Sequence, residues 1–219
     1  EIVDLAQKLA AASPASIDRA GLEARCRAAG LNDDQIKAAI AATGPERLAI
    51  VEGAPGSGKT TTLQPVVDAY KQAGFRVVGS ASAWTIARML RADLAIEARA
   101  TRSWIAKLRL GHKVLDDRTV LVLDEAGLVS AREMHAVLSA VERAGAKLVL
   151  VGDRDQLQAI SAGPGLALAA RAVDSARVET IVRQRDEWAR EAVRAFGEGR
   201  ADAALQALAE RGHIVEVAG

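Results

Sequence analysis

Residues Gly53-Ala54-Pro55-Gly56-Ser57-Gly58-Lys59-Thr60 match the pattern G-x-x-x-x-G-K-[ST] at every fixed position. An apolar run, 48–52, leads into this segment, and a helical pattern near 59–73 leads out of it. Glycines let such a loop curl until successive backbone N–H groups face one phosphate, and the positive end of the following helix adds to the attraction. The lysine of the pattern reaches the β- and γ-phosphates and its hydroxyl residue binds Mg²⁺. Lys59 is therefore assigned to phosphate and Thr60 to metal, with Thr61 closing the nucleotide-binding set. A chance glycine-rich turn is the bland alternative, and the strand–loop–helix context weighs against it.

A phosphate loop fed by a strand calls for a parallel sheet, and the rest of the chain is patterned for one. Short β-rich runs at 48–52, 76–79, 119–123, 147–151, 177–182 and 213–217 alternate with helical patterns near 59–73, 84–92, 101–109, 130–144, 164–172, 187–198 and 201–211. The runs Val120–Leu123 and Leu148–Val151 do not alternate in polarity, which suits central strands buried on both faces. The expected fold is α/β, a mostly parallel sheet flanked by helices through right-handed crossovers. Residues 1–30 read as a small helical segment broken at Ser13-Pro14, and a third helix follows Asn32 as N-cap. Residues 31–219 read as the main domain.

Two further strand ends carry chemistry. Val120-Leu121-Val122-Leu123 delivers Asp124 and Glu125 to the edge where ligands collect in parallel sheets. Asp124 is the metal carboxylate, and Glu125 is the general base that orients the attacking water. Leu148–Val151 breaks at Gly152-Asp153 and carries Gln156 to the same edge, where a neutral amide can sense the γ-phosphate or the water. Two solvated acids and a structural glutamine are the alternatives.

The elements D-E-A-G at 124–127 and G-D-x-x-Q-L at 152–157 resemble motifs II and III of superfamily 1 helicases, most closely the RecD-like branch of TraA/TraI-type conjugative relaxase-helicases. The resemblance covers about residue 31 to 219 and implies a RecA-like P-loop NTPase, the first motor domain of a 5′-to-3′ DNA helicase using ATP and Mg²⁺. Leu31–Gln35 resembles the Q motif, which implies that Gln35 meets the adenine edge. Arg183-Gln184-Arg185 with Glu187-Trp188 resembles motif IV, which implies Arg183 at the γ-phosphate, with Arg185 as the alternative. The stretch from Glu198 to Ile214 resembles the way out of the first domain. A second RecA-like domain and an upstream relaxase are the partners implied.

The same resemblance marks a single-stranded DNA edge. Gly79–Thr85 corresponds to motif Ia, with Ser80, Ser82 and Thr85 offering hydroxyls. Trp84 departs from the small residue usual there, and either stacks on a base or fills a core gap. Thr101-Arg102-Ser103-Trp104 resembles a second DNA-contacting element, with Thr101 and Arg102 as contacts and Trp104 reading as core. Arg88, Arg91, Arg99 and Arg102 form a local basic excess, for which a solvated face is the plain alternative.

Composition narrows the rest. Lys and Arg number 29 against 28 Asp and Glu, so a uniformly basic nucleic-acid coat is excluded while a local groove is not. Aromatics are 3% and alanine is abundant, which favours helix. Cys26 is the single cysteine, so no intrachain disulfide is possible and a reducing, cytoplasmic setting is expected. His112, His135 and His213 lack metal-ligand spacing, Met89 and Met134 read as core, and no membrane-spanning run is visible. The start at Glu1, without methionine, suggests a piece of something longer. Other classes remain: a stand-alone P-loop kinase, disfavoured by the sensor strand, and a non-catalytic nucleotide-gated binding module.

Overall fold

The computed structural model describes residues 1–12, 17–53, 56–153, 165–179, 187–197 and 199–214. These fall into two units, 1–179 and 180–219.

The first unit is built on six strands, β1 (Leu48–Gly53), β2 (Arg76–Ala81), β3 (Glu97–Ala100), β4 (Thr119–Asp124), β5 (Lys147–Gly152) and β6 (Ser175–Val178). They form one sheet in the order β3-β2-β4-β5-β1-β6, and every pairing is parallel. The helices are α1 (Ile2–Ala11), α2 (Arg19–Ala28), α3 (Asp33–Ala42), α4 (Lys59–Gln72), α5 (Trp84–Leu94), α6 (Thr101–Arg109), α7 (Ala131–Ala144) and α8 (Gly165–Ala169).

Because side chains alternate across a strand, each central strand serves two cores. Val120, Val122, Val149 and Val151 face a cluster with Leu22, Ile36, Leu63 and Leu90 from α2, α3, α4 and α5. Leu121, Leu123, Leu148 and Leu150 face the opposite cluster, with Leu9, Trp104, Leu138 and Leu166 from α1, α6, α7 and α8. Both strands are buried throughout, which is why their apolar runs do not alternate.

Residues 1–30 do not stand apart from this body. Helix α1 packs on the leucine face and α2 on the valine face. The Arg47 amide, just before β1, donates to the carbonyls of Leu9 and Ala12 at 2.9 and 3.0 Å. Asn32 caps α3 in a reciprocal box with Gln35.

Three expectations are corrected. Strand β3 went unread because Glu-Ala-Arg-Ala has little β propensity; it forms as an edge strand whose Ala98 and Ala100 point inward. The strand expected from 177 begins earlier, at Ser175. Met89 is 60% exposed, since Ala87, Leu90 and Leu94 take the inward stripe of α5, whereas Met134 is fully buried.

The second unit contains α9 (Glu187–Gly197) and α10 (Ala201–Ala209), which approach through Ala192, Ala195 and Ala204. The Trp188 ring stacks on His213 at 5.1 Å, and the Arg211 guanidinium lies over the same indole. His213 and Ile214 are not in a strand, and residues 215–217 of the expected last strand lie outside the described residues. Among the described residues no helix is long and apolar enough to cross a membrane.

Candidate functional site

Strand β1 ends at Gly53, where a Cβ would stand 2.6 Å from Ser57 Oγ and 2.7 Å from the Val178 carbonyl oxygen of β6. Glycine is thus required for the loop to leave between its neighbours. Gly56 and Gly58 adopt φ of 81° and 78°, and Gly58 caps α4, which opens at Lys59. The Lys59 ammonium donates to the Gly53 carbonyl, so the loop's cation lies across its own mouth. Ser57 is fully buried and, among the described residues, its hydroxyl has no hydrogen-bond partner. Thr60 is half-buried, Thr61 is exposed, and Thr62 donates to the Gly58 carbonyl at 3.0 Å. The glycine conformations, the lysine at the mouth and the orphaned serine hydroxyl fit a bound phosphate chain.

Gln35 is held behind this loop. Its Oε1 accepts from the Asn32 amide at 3.1 Å, while Nε2 donates to the Ser57 and Gly58 carbonyls at 3.2 and 3.4 Å. The side chain is buried, with its amide committed to the helix cap and the phosphate loop.

Asp124 ends β4, and its Oδ1 accepts from the Glu125 amide at 2.9 Å. Burial raises the Asp124 carboxyl above its usual range, with the Glu125 amide and the Lys59 charge opposing. A divalent cation would reverse that cost, so Asp124 and Thr60 suit Mg²⁺. Glu125 has φ of 52°, a left-handed conformation rare outside glycine, and leads into a 3₁₀ turn, Ala126–Leu128. A Cβ on Gly127 would lie 2.4 Å from the Asp153 carbonyl oxygen, and one on Gly152 would lie 3.0 Å from the Gly127 nitrogen. The turn after the acid pair and the exit of β5 are therefore in backbone contact.

Of the residues expected at a DNA edge, two are turned inward. Ser80 and Thr101 are 1% exposed, with their hydroxyls 2.9 Å apart, and Thr101 also donates to the Ala81 carbonyl at 2.9 Å. One helical turn on, Trp104 Nε1 donates to the Gly79 carbonyl at 2.8 Å. These bonds fasten α6 to the end of β2, and Trp104 is core as expected. Ser82 is half-buried and Thr85 exposed, while Trp84 is 51% exposed and so does not fill a core gap. The Arg102 side chain is 86% exposed, and its Nε donates to Glu133 Oε1 at 2.7 Å. Burial pushes the Glu133 carboxyl up, but hydrogen bonds from Arg102 and Ser130 outweigh it and hold the group below its usual range.

Ala54, Pro55, Gln156, Arg183 and Arg185 lie outside the described residues. Sequence reasoning missed Glu133, although Ser130 and Glu133 have capping-box spacing; its tie to Arg102 is tertiary. It also missed Lys147, which is 1% exposed and donates to the Gly44 and Glu46 carbonyls at 2.8 and 2.7 Å.

The family model described as AAA domain matches residues 30–219. The chain is 41% identical to the conjugal transfer protein TraA of Rhizobium radiobacter over 177 residues, which are 81% of this chain and 16% of that protein. It is 30% identical over 159 residues to the ATP-dependent RecD2 DNA helicase of Deinococcus radiodurans, covering 71% of this chain and 22% of that one. The crystal structure of Pif1 helicase from Candida albicans shares the fold with a TM-score of 0.62 at 16% identity, covering 80% of this chain and 46% of that one. The chain thus spans about a sixth of the TraA protein's length. With its phosphate loop, parallel sheet and acid pair, this chain belongs to the AAA domain family and is similar to TraA, TraI and RecD-type helicases.

Proposed function

We propose that this chain is the first, RecA-like motor domain of a 5′-to-3′ DNA helicase, which hydrolyses ATP with Mg²⁺ while moving on single-stranded DNA in conjugative transfer. One observation carries most of this: the Gly53 loop, the Asp124–Glu125 pair and the Ser82–Thr85 segment all follow the C-terminal ends of strands in one parallel sheet. Nucleotide and DNA would thus meet along a single edge, as coupling requires.

ATP supplies the phosphoryl bond whose hydrolysis drives the motor. Lys59 exchanges the Gly53 carbonyl for the β- and γ-phosphates. Thr60 and Asp124 would hold Mg²⁺, and Glu125 accepts a proton from the attacking water. Gln156 senses the γ-phosphate, and Arg183, or Arg185 in its place, neutralises charge there. Gln35 Nε2 can donate to the adenine edge only by giving up the Ser57 or the Gly58 carbonyl, which would link base recognition to the loop. On the DNA side, Ser82, Thr85 and Arg102 contact the backbone and Trp84 stacks on a base. A second RecA-like domain and an upstream relaxase, acting in the cytoplasm, complete the picture.

The test is steady-state ATP hydrolysis with and without oligo(dT), beside Lys59→Ala. Turnover that rises with DNA and vanishes in the variant supports the motor. Turnover indifferent to DNA would contradict it.

A further inference from the structure

Arg102 is the second residue of α6, and its side chain stands almost entirely in solvent. Among the described residues its only hydrogen-bond partner is Glu133, reached through Nε. Glu133 is not a casual surface acid. It is the N3 residue of the α7 capping box, and its side chain is 19% exposed. Oε2 accepts from the Ser130 hydroxyl at 2.7 Å and from the Ser130 amide at 3.2 Å, leaving Oε1 for the guanidinium. One helix cap thus fixes a carboxylate where it neutralises a cation on the neighbouring helix.

We infer that Glu133 is the resident counter-ion of a phosphate-binding arginine, and that a backbone phosphate of single-stranded DNA displaces it from Arg102. The inference rests on the proposal that DNA crosses this edge. A guanidinium already paired with a carboxylate offers little net charge to a second anion, and the two anions repel. Among the described residues only Nε is engaged, so a phosphate can approach Nη1 and Nη2, but it meets the full guanidinium charge only as Glu133 lets go. The exchange occurs at the cap of α7, immediately after the turn that carries Gly127 against Asp153 and follows Glu125.

Glu133→Gln isolates the ion pair, because glutamine serves at N3 of a capping box as glutamate does. Binding of fluorescein-labelled oligo(dT) would be followed by anisotropy at low and moderate salt, for the full chain, Glu133→Gln, Arg102→Gln and the double variant. An exposed pair of this kind corresponds to about two- to five-fold in affinity. Glu133→Gln should bind about that much tighter, the gain should shrink with salt, and it should vanish when Arg102→Gln is also present. Unchanged affinity in Glu133→Gln, or equal tightening with Arg102→Gln present, would overturn the exchange while leaving the DNA edge intact. Absence of oligo(dT) binding by all four proteins would instead overturn the DNA edge itself and the exchange with it. Thermal melting of each variant separates loss of fold from loss of contact.

Discussion

The backbone of Gly127 passes so close to Asp153 that a Cβ there would stand 2.4 Å from the Asp153 carbonyl oxygen. The partner atom is main chain and cannot swing aside, so Gly127→Ala must push the Ala126–Leu128 turn and the end of β5 apart. Overpacking of this sort costs about 1–3 kcal/mol. Urea unfolding should show that loss, and ATP turnover should fall further than stability explains, because Glu125 sits at the start of the displaced turn.

Gln35 joins the α3 cap to the phosphate loop through one amide. In Gln35→Glu the cap survives, but a carboxylate can no longer donate to the Ser57 and Gly58 carbonyls. A buried acceptor left facing two others costs about 1–3 kcal/mol. Fluorescent ATP-analogue titrations should show weakened nucleotide binding, and Gln35→Glu binding as tightly as the parent protein would remove the loop-bracing role.

Trp84 and Trp104 should separate cleanly. Trp104→Ala deletes a buried ring and its bond to Gly79, a change worth about 3–5 kcal/mol in folding. Trp84→Ala removes a ring that is 51% exposed and should alter stability by only about 0.5 kcal/mol. Its effect should appear instead as weaker oligo(dT) binding, by about 1–3 kcal/mol if the ring stacks on a base. Denaturation and anisotropy measured on the same variants decide this.

Lys147 gives the protein a signature at alkaline pH. Burial holds its ammonium down to about 8, with Glu46 opposing. An unfolded lysine titrates near 10.4, so between those values the unfolded chain binds more protons than the folded one. Stability then rises with pH across that window. The bonds from Lys147 to the Gly44 and Glu46 carbonyls favour the charged form and limit the gain to about 1–3 kcal/mol. Urea unfolding from pH 7.5 to 10, taken as the difference from Lys147→Met, should show this rise. Taking the difference cancels the contribution of the buried Cys26 thiol, which burial shifts the opposite way, upward.

Much of this was legible before the structure because the physics was local. Four apolar residues in succession put apolar side chains on both faces of a strand, so β4 and β5 had to be central. The Gly53–Thr60 pattern carries its loop within it, and Asn32 announces its own helix. What escaped depends on partners distant in sequence. Strand β3 has no propensity of its own and forms because β2 offers an open edge. The hydroxyls of Ser80 and Thr101 were the right chemistry for phosphate, but they pair with each other across the fold. Glu133 announced a cap in its spacing with Ser130, yet nothing in the chain pointed it at Arg102.

The most direct measurement of the central claim is calorimetric titration of this chain with Mg²⁺ and a non-hydrolysable ATP analogue, beside Lys59→Ala and Asp124→Asn. The account predicts one nucleotide per chain, affinity reduced at least about tenfold in Lys59→Ala, and loss of the Mg²⁺ dependence in Asp124→Asn. Binding that is indifferent to both substitutions, or no binding by the folded parent protein, would contradict it.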